Sequence, residues 1–96
     1  MVILLVTYTI AKGTREEFVS ELKKSSFVDT TRNEDGNISY EYFFPESGPE
    51  NVLYLVEKWE SREKLDMHMN APNMKIATGL KEMFNAETKV EIYEVQ

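Results

Sequence analysis

Two stretches of this sequence alternate like β-strands yet are apolar on both faces, and that pattern limits what the chain can fold into. In residues 2–10, Val2, Leu4, Val6, Tyr8 and Ile10 fall on one side, while Ile3, Leu5, Thr7 and Thr9 form a second, largely apolar side. Residues 52–59 do the same, with Val52, Tyr54 and Val56 set against Leu53, Leu55 and Trp59. An antiparallel sheet in an isolated domain normally turns one polar face to water. A sheet apolar on both sides needs two covers: its own helices on one face and something else on the other. A second copy of the chain is the simplest second cover, through a two-fold interface. A homodimer is therefore expected.

The remaining segments supply the helices. Ala11-Lys12-Gly13 reads as a turn, and Thr14 with Glu17 three residues on has the form of a capping box. The helix it opens carries Phe18, Val19 and Leu22 inward and is predicted to run to about Arg32, although its inward positions turn small and polar at Ser25 and Ser26. Asp35-Gly36 stops it, because glycine accepts the left-handed conformation of a helix C-terminus. A second strand is predicted over 38–44, with Ile38, Tyr40, Tyr42 and Phe44 on one side, followed by the turn-rich 45–49. After the strand 52–59, Ser61 caps a short helix to about Met69. Pro72 begins another, carrying Ile76, Ala77, Leu80, Met83 and Phe84, and 88–95 is the last strand. The order β-α-β-β-α-β is ferredoxin-like, an α+β fold with an antiparallel sheet and helices on one face. At 96 residues, with no repeat, linker or low-complexity segment, residues 1–96 read as one domain.

Charge and cysteine content narrow the function classes. Eleven basic against seventeen acidic residues give a net charge of −6, and only Lys23-Lys24 pair as adjacent cations. Binding to phosphate backbones needs clustered lysine and arginine, so nucleic acid is not an expected partner. Without cysteine there is no disulfide, thiolate nucleophile or zinc-thiolate site, in keeping with a cytoplasmic protein. The start MVILLVTYTI lacks a basic region and is too short to be a secretion signal or a membrane span, so no membrane association is expected. One histidine among scattered carboxylates lacks metal-ligand spacing, and Gly13, Gly36, Gly48 and Gly79 are isolated rather than a phosphate cradle. No nucleophile-elbow pattern marks a serine hydrolase.

Four segments carry a resemblance. They are Thr31-Arg32-Asn33-Glu34-Asp35-Gly36-Asn37 before Tyr40, then Tyr54-Leu55-Val56-Glu57-Lys58-Trp59, Leu65-Asp66-Met67-His68, and Ala71-Pro72-Asn73-Met74. Together they form a pattern R-x-E-x-G-N-x-x-Y, E-x-W, H and P that is similar to the antibiotic biosynthesis monooxygenase family over nearly the whole chain. The resemblance implies a dimeric α+β barrel with a pocket between sheet and helices in each subunit. It also implies small aromatic or quinol substrates oxidised by O₂ without metal, flavin or other cofactor. The sequence departs from that family in two places. Asn73-Met74 follows the proline where many relatives carry a second histidine or an aromatic residue. Val6 stands where the heme-degrading branch has an asparagine, and the chain lacks that branch's ligand histidine, so heme is not the expected ligand.

His68, the only histidine, is the candidate base or proton relay, since imidazole exchanges protons near neutral pH. It lies one turn beyond Leu65 and beside Met69, at the border of the buried stripe. The alternative is a helix-end histidine that meets carbonyls or water. Trp59, at the end of a strand, is the second candidate catalytic residue, as a wall flanking a flat substrate or else as the largest core side chain. Asn33 and Asn73 are candidate polar anchors for substrate, and Met69 a candidate wall of an adaptable apolar cavity. Glu57 shares a strand face with Leu55 and Trp59, which makes it a candidate for a pKa raised by burial, with a structural contact near the dimer edge as the equal alternative. Two other classes remain open: a binding or isomerising dimer in which His68 moves a proton on a small carbonyl compound, and a non-catalytic interaction domain. An open apolar pocket containing His68 distinguishes the first two from the third.

Overall fold

A computed structural model describes all 96 residues. The elements are β1 (Val2–Thr9), α1 (Arg15–Lys24), α2 (Phe27–Arg32), β2 (Asn37–Phe43), β3 (Val52–Trp59), α3 (Arg62–Met69), α4 (Met74–Met83) and β4 (Glu87–Glu94). The strands form one antiparallel sheet in the order β2-β3-β1-β4. This is the ferredoxin-like α+β arrangement that the element order predicts. No helix is long and apolar enough to cross a membrane.

The side-chain alternation sorts as the sequence indicates. Val2, Leu4, Val6 and Tyr8 of β1 and Leu53, Leu55 and Trp59 of β3 are buried beneath the helices. They meet Phe18 and Leu22 of α1, Phe27 and Val28 of α2, Leu65 of α3 and Ala77 of α4 in a single core. Phe18 stands edge-on to both Tyr8 (5.8 Å between centroids) and Phe84 (5.5 Å), an aromatic geometry that tightens the join between α1 and the sheet. On the outer face, Leu5, Phe43, Tyr54 and Tyr93 are exposed, as an uncovered apolar face requires.

The first helical segment differs from the single helix expected over 14–32: it is broken at Ser25–Ser26. The Ser25 hydroxyl donates to the Leu22 carbonyl (2.7 Å) and accepts from the Phe27 N–H (3.3 Å), taking over bonds that a continuous helix would make itself. Ser26 adopts the left-handed conformation at φ 64°. The break re-phases the buried stripe, so that Phe27, Val28 and Thr31 turn inward where an unbroken helix would carry its small polar positions. The Thr14 capping box also does not form. The Thr14 hydroxyl donates backward to the Ala11 carbonyl (2.6 Å) and makes no cap to α1. Ser61, by contrast, caps α3 as expected, accepting from the Lys64 N–H at 3.2 Å. In β2 a register irregularity at Asn37–Ser39 leaves Ile38 exposed rather than beside Tyr40.

Two features position the site. The turn after α2 is fastened to the start of α3: the Glu60 N–H donates to the Gly36 carbonyl (2.8 Å), and Lys64 pairs with Asp35. Gly36 has φ 85°, and a Cβ there would collide with the Lys64 side chain lying across it. At the other end of the sheet, no helix packs extensively on β4. Register places Val90 opposite Val6 and Ile92 opposite Leu4 on the inner face, yet both remain nearly half exposed. An opening is left between β4 and the helices α3 and α4.

Candidate active site

Side chains from three elements converge beside that opening. Residues two apart on a strand share a face, so β3 sends both Glu57 and Trp59 inward. On α3 the i, i+3 spacing turns Leu65 and His68 to the same side, and both are buried. Glu34, held in the turn after α2, reaches His68 from the other side: the Nδ1 to Oε1 distance is 2.6 Å. With the Glu34 carboxylate accepting there, the proton of a neutral ring is on Nδ1 and the lone pair is on Nε2. Nε2 then faces Glu57, whose Oε1 is 3.9 Å away, too far for a hydrogen bond and near enough to feel its charge. The imidazole stacks on the Trp59 indole at 4.7 Å and meets the edge of Tyr40 at 5.9 Å. Its ring is held on one face by the indole and at one nitrogen by Glu34.

Glu57 is the unusual group. It is buried, and burial pushes its carboxyl pKa upward. The Trp59 indole N–H, which donates to Oε1 at 3.1 Å, and the charges of His68 and Lys81 oppose that rise without cancelling it. Burial also raises Tyr8 and Tyr40 well above the ordinary phenol value, so both hydroxyls stay protonated donors. No three His, Asp or Glu side chains are placed together as metal ligands.

These groups border a cavity of about 130 Å³ between β4, α3 and α4. Its inner end holds His68, Glu57, Tyr8 and Tyr40, and its walls are apolar: Leu4 and Val6 from β1, Val90 and Ile92 from β4, Met74 and Ala77 from α4. A larger groove of about 790 Å³ runs along the edge strand β2 against α1 and α2, but it contains neither His68, Glu34 nor Glu57. His68 and Glu57 border the smaller space.

A family model described as antibiotic biosynthesis monooxygenase matches residues 1–78. The chain belongs to that family. No curated protein matches it in sequence. Among solved structures, a Deinococcus radiodurans protein bearing the same family name superposes with a TM-score of 0.86 at 23% identity, over 100% of this chain and 93% of that one. A conserved protein from Methanosarcina mazei Go1 gives 0.82 at 26% identity, over 100% and 94%. SnoaB, a cofactor-independent oxygenase from Streptomyces nogalater, gives 0.78 at 14% identity, over 99% and 92%. At such identities the superpositions with the Deinococcus and Streptomyces proteins establish a shared fold.

In this antibiotic biosynthesis monooxygenase family member, the candidate residues read from sequence separate into two groups. His68 and Met69 line the cavity. Trp59 does not: it is fully buried behind His68, and its N–H is committed to Glu57 rather than free for a ligand. Asn33 is exposed at the end of α2, where its amide donates to the Asp29 carbonyl (2.9 Å). Asn73 is a tie between helices, donating to the Phe27 carbonyl (3.3 Å) and the Thr31 hydroxyl (3.2 Å). Neither asparagine lines the cavity. The residue that the structure brings to the imidazole, and that is not among the candidate site residues read from sequence, is Glu34. Its signal was its place in the R-x-E-x-G-N segment, but only the fold shows that this segment meets α3. Tyr8 and Tyr40 also belong to the site. Alternation marks both as inward-facing, and nothing in the sequence tells a core tyrosine from one that borders a cavity.

Proposed function

We propose that the chain is a cofactor-independent monooxygenase that oxidises a small phenol or quinol with O₂. One observation carries the reading: Glu34 holds His68 so that Nε2 carries the lone pair beside an apolar cavity. Ground-state O₂ is a triplet and reacts slowly with closed-shell molecules, so the substrate itself has to become a strong reductant. His68 Nε2 takes a phenolic proton, and Glu34 stabilises the resulting imidazolium through Nδ1–H. The Tyr8 and Tyr40 hydroxyls are donors suited to the phenolate oxygen, and the apolar walls keep water from competing for it. The electron-rich phenolate passes one electron to O₂, and the radical pair joins at a ring carbon as a peroxide. The imidazolium returns its proton to that peroxide, and the C–H bond at the same carbon breaks as the O–O bond cleaves. One oxygen stays there as a carbonyl while the other leaves as water, the substrate supplying all four electrons. Glu57, with its raised pKa, is suited to supply a proton to the departing oxygen.

A space with His68 at its inner end, rather than a filled interior, supports a ligand-handling protein over a purely structural one. The pairing of an imidazole lone pair with a carboxyl of raised pKa also suits proton transfer between two positions of a carbonyl compound. Oxygen uptake separates that isomerase reading from the oxygenase. We further infer that two copies pair through the outer sheet face, where Leu5, Phe43, Tyr54 and Tyr93 are exposed together.

The test is oxygen consumption by metal-free protein across a panel of quinols. His68→Ala should lower turnover by about 10²–10⁴-fold. Normal turnover by that variant removes His68 as the base. No consumption above the uncatalysed rate anywhere on the panel removes the oxygenase reading.

A further inference from the structure

The charge at the mouth of the cavity runs against that of the molecule. The chain carries seventeen acidic and eleven basic residues, yet the only charged side chains that border the outer part of the cavity are Lys81 and Arg62. Arg62 is already engaged, its Nε donating to Asp66 at 3.0 Å. Lys81 is not. It is half-buried on α4 and no carboxylate lies within ion-pair distance of it. Glu57, the one carboxyl that borders the cavity, feels the Lys81 charge without pairing to it. A half-buried lysine with no ion-pair partner, bordering an apolar space, is free to take the counter-charge of a ligand. Lys81 also lies beyond residues 1–78, the stretch that the family model matches, so membership of the family assigns it nothing.

Size sets the second constraint. A cavity of about 150 Å³ holds one benzene ring, and this one measures about 130 Å³. That is room for no more than about one ring, and His68 and Lys81 both border it, one buried and the other half-buried. We propose that the substrate is a single-ring phenol or quinol bearing an anionic substituent, its hydroxyl directed to His68 and its anionic group held by Lys81. A carboxylate is the simplest such group. This deepens the oxygenase reading and rests on it for the orientation of the ring, while the anion site itself is measurable without turnover.

The experiment is calorimetric titration of the intact protein with 4-hydroxybenzoate and with phenol, at low and at high salt. The wild-type protein should bind the carboxylate at least about tenfold more tightly at low salt, with the advantage shrinking as salt screens the half-exposed cation. Lys81→Gln should lose most of that preference and Lys81→Arg should keep it. Lys89→Gln makes the same change of net charge on the outer face of β4, where Lys89 neighbours Glu91, and should also keep it. If wild-type protein binds the two ligands alike, or if Lys81→Gln retains the preference, the proposal is wrong. A second arm measures oxygen uptake with 2,5-dihydroxybenzoate and with hydroquinone. A preference lost in Lys81→Gln, without oxygen uptake from either compound, upholds the anion site and sinks the oxygenase reading. Oxygen uptake from hydroquinone with no preference for carboxylates does the reverse.

Discussion

Replacing Glu34 by glutamine changes one thing at the site: the charge opposite Nδ1 of His68. A glutamine side-chain oxygen can still accept from the Nδ1–H at the position where Glu34 Oε1 stands at 2.6 Å. The tautomer is therefore retained, and only the stabilisation of the imidazolium formed during proton transfer is lost. Because imidazolium charge is spread over the ring, the effective separation is about 4 Å, which at an effective dielectric constant near 20 is worth about 4 kcal/mol. At about 1.4 kcal/mol per factor of ten, that is close to three decades in rate. The amide dipole keeps part of it, so Glu34→Gln should slow turnover by about 10²–10³-fold. Stability should fall by a smaller, measurable amount. Exchanging a charge-assisted bond for a neutral one costs roughly 1 kcal/mol, or about 4–8 °C in Tm for a domain of this size. Glu34→Ala is the contrasting variant, because it strands a buried N–H and adds a further penalty of about 1–3 kcal/mol. The assays are oxygen uptake on the best quinol of the panel and thermal melting of all three proteins. If Glu34→Gln turns over within about threefold of wild type, the Coulombic stabilisation of the imidazolium is absent and Glu34 only orients the ring.

Trp59→Phe keeps an aromatic ring beneath His68 but removes the donor to Glu57 Oε1, the one hydrogen bond that carboxyl receives from another side chain. It should destabilise by about 1–3 kcal/mol, against about 3–5 kcal/mol for Trp59→Ala; equal losses on urea titration would refute this assignment. Glu57→Gln tests the buried carboxyl. The raised folded-state pKa makes a stabilising contribution that is fully present below the ordinary value of 4.5 and is lost as pH rises through the folded value. The gap in stability between Glu57→Gln and wild type should therefore move in favour of the variant from about pH 4 upward and then level off, whereas a constant gap would show that Glu57 is not perturbed. For the outer sheet face, light scattering should find a dimer at micromolar concentration. Leu5→Glu, placed in the middle of the exposed apolar patch, should shift it toward monomer; a stable wild-type monomer excludes the pairing.

The parts of the molecule legible in sequence are those set by local periodicity. Alternation in 2–10 and 52–59 assigns each residue to its correct face, including Glu57 beside Trp59. The serine at 61 announces its helix because its cap is a bond to a residue three positions away. The break at Ser25–Ser26 is visible only as a lapse in the apolar stripe, and a helix that continues past such a lapse is locally just as reasonable. What chooses the break is the burial of Phe27 and Thr31 against distant elements. The Glu34–His68 contact spans 34 positions, and no local pattern encodes it. Trp59 shows the same limit in depth: parity states that it faces inward, but only packing decides that His68 lies between it and the cavity.

The open strand β4 has a consequence for how such a protein can change over generations. Of the groups assigned to proton transfer, His68 and Glu57 are buried in the packed core, His68 bonded to Glu34 and Glu57 to Trp59. Thr88, Val90 and Ile92 border the same cavity from a strand that supports little else on its inner side, and they fall outside the stretch shared with the family model. A substitution there alters the shape offered to a ligand while removing little buried area, so its effect on folding is small. If the proposed roles hold, the cavity wall on β4 can change shape while the residues around His68 stay as they are.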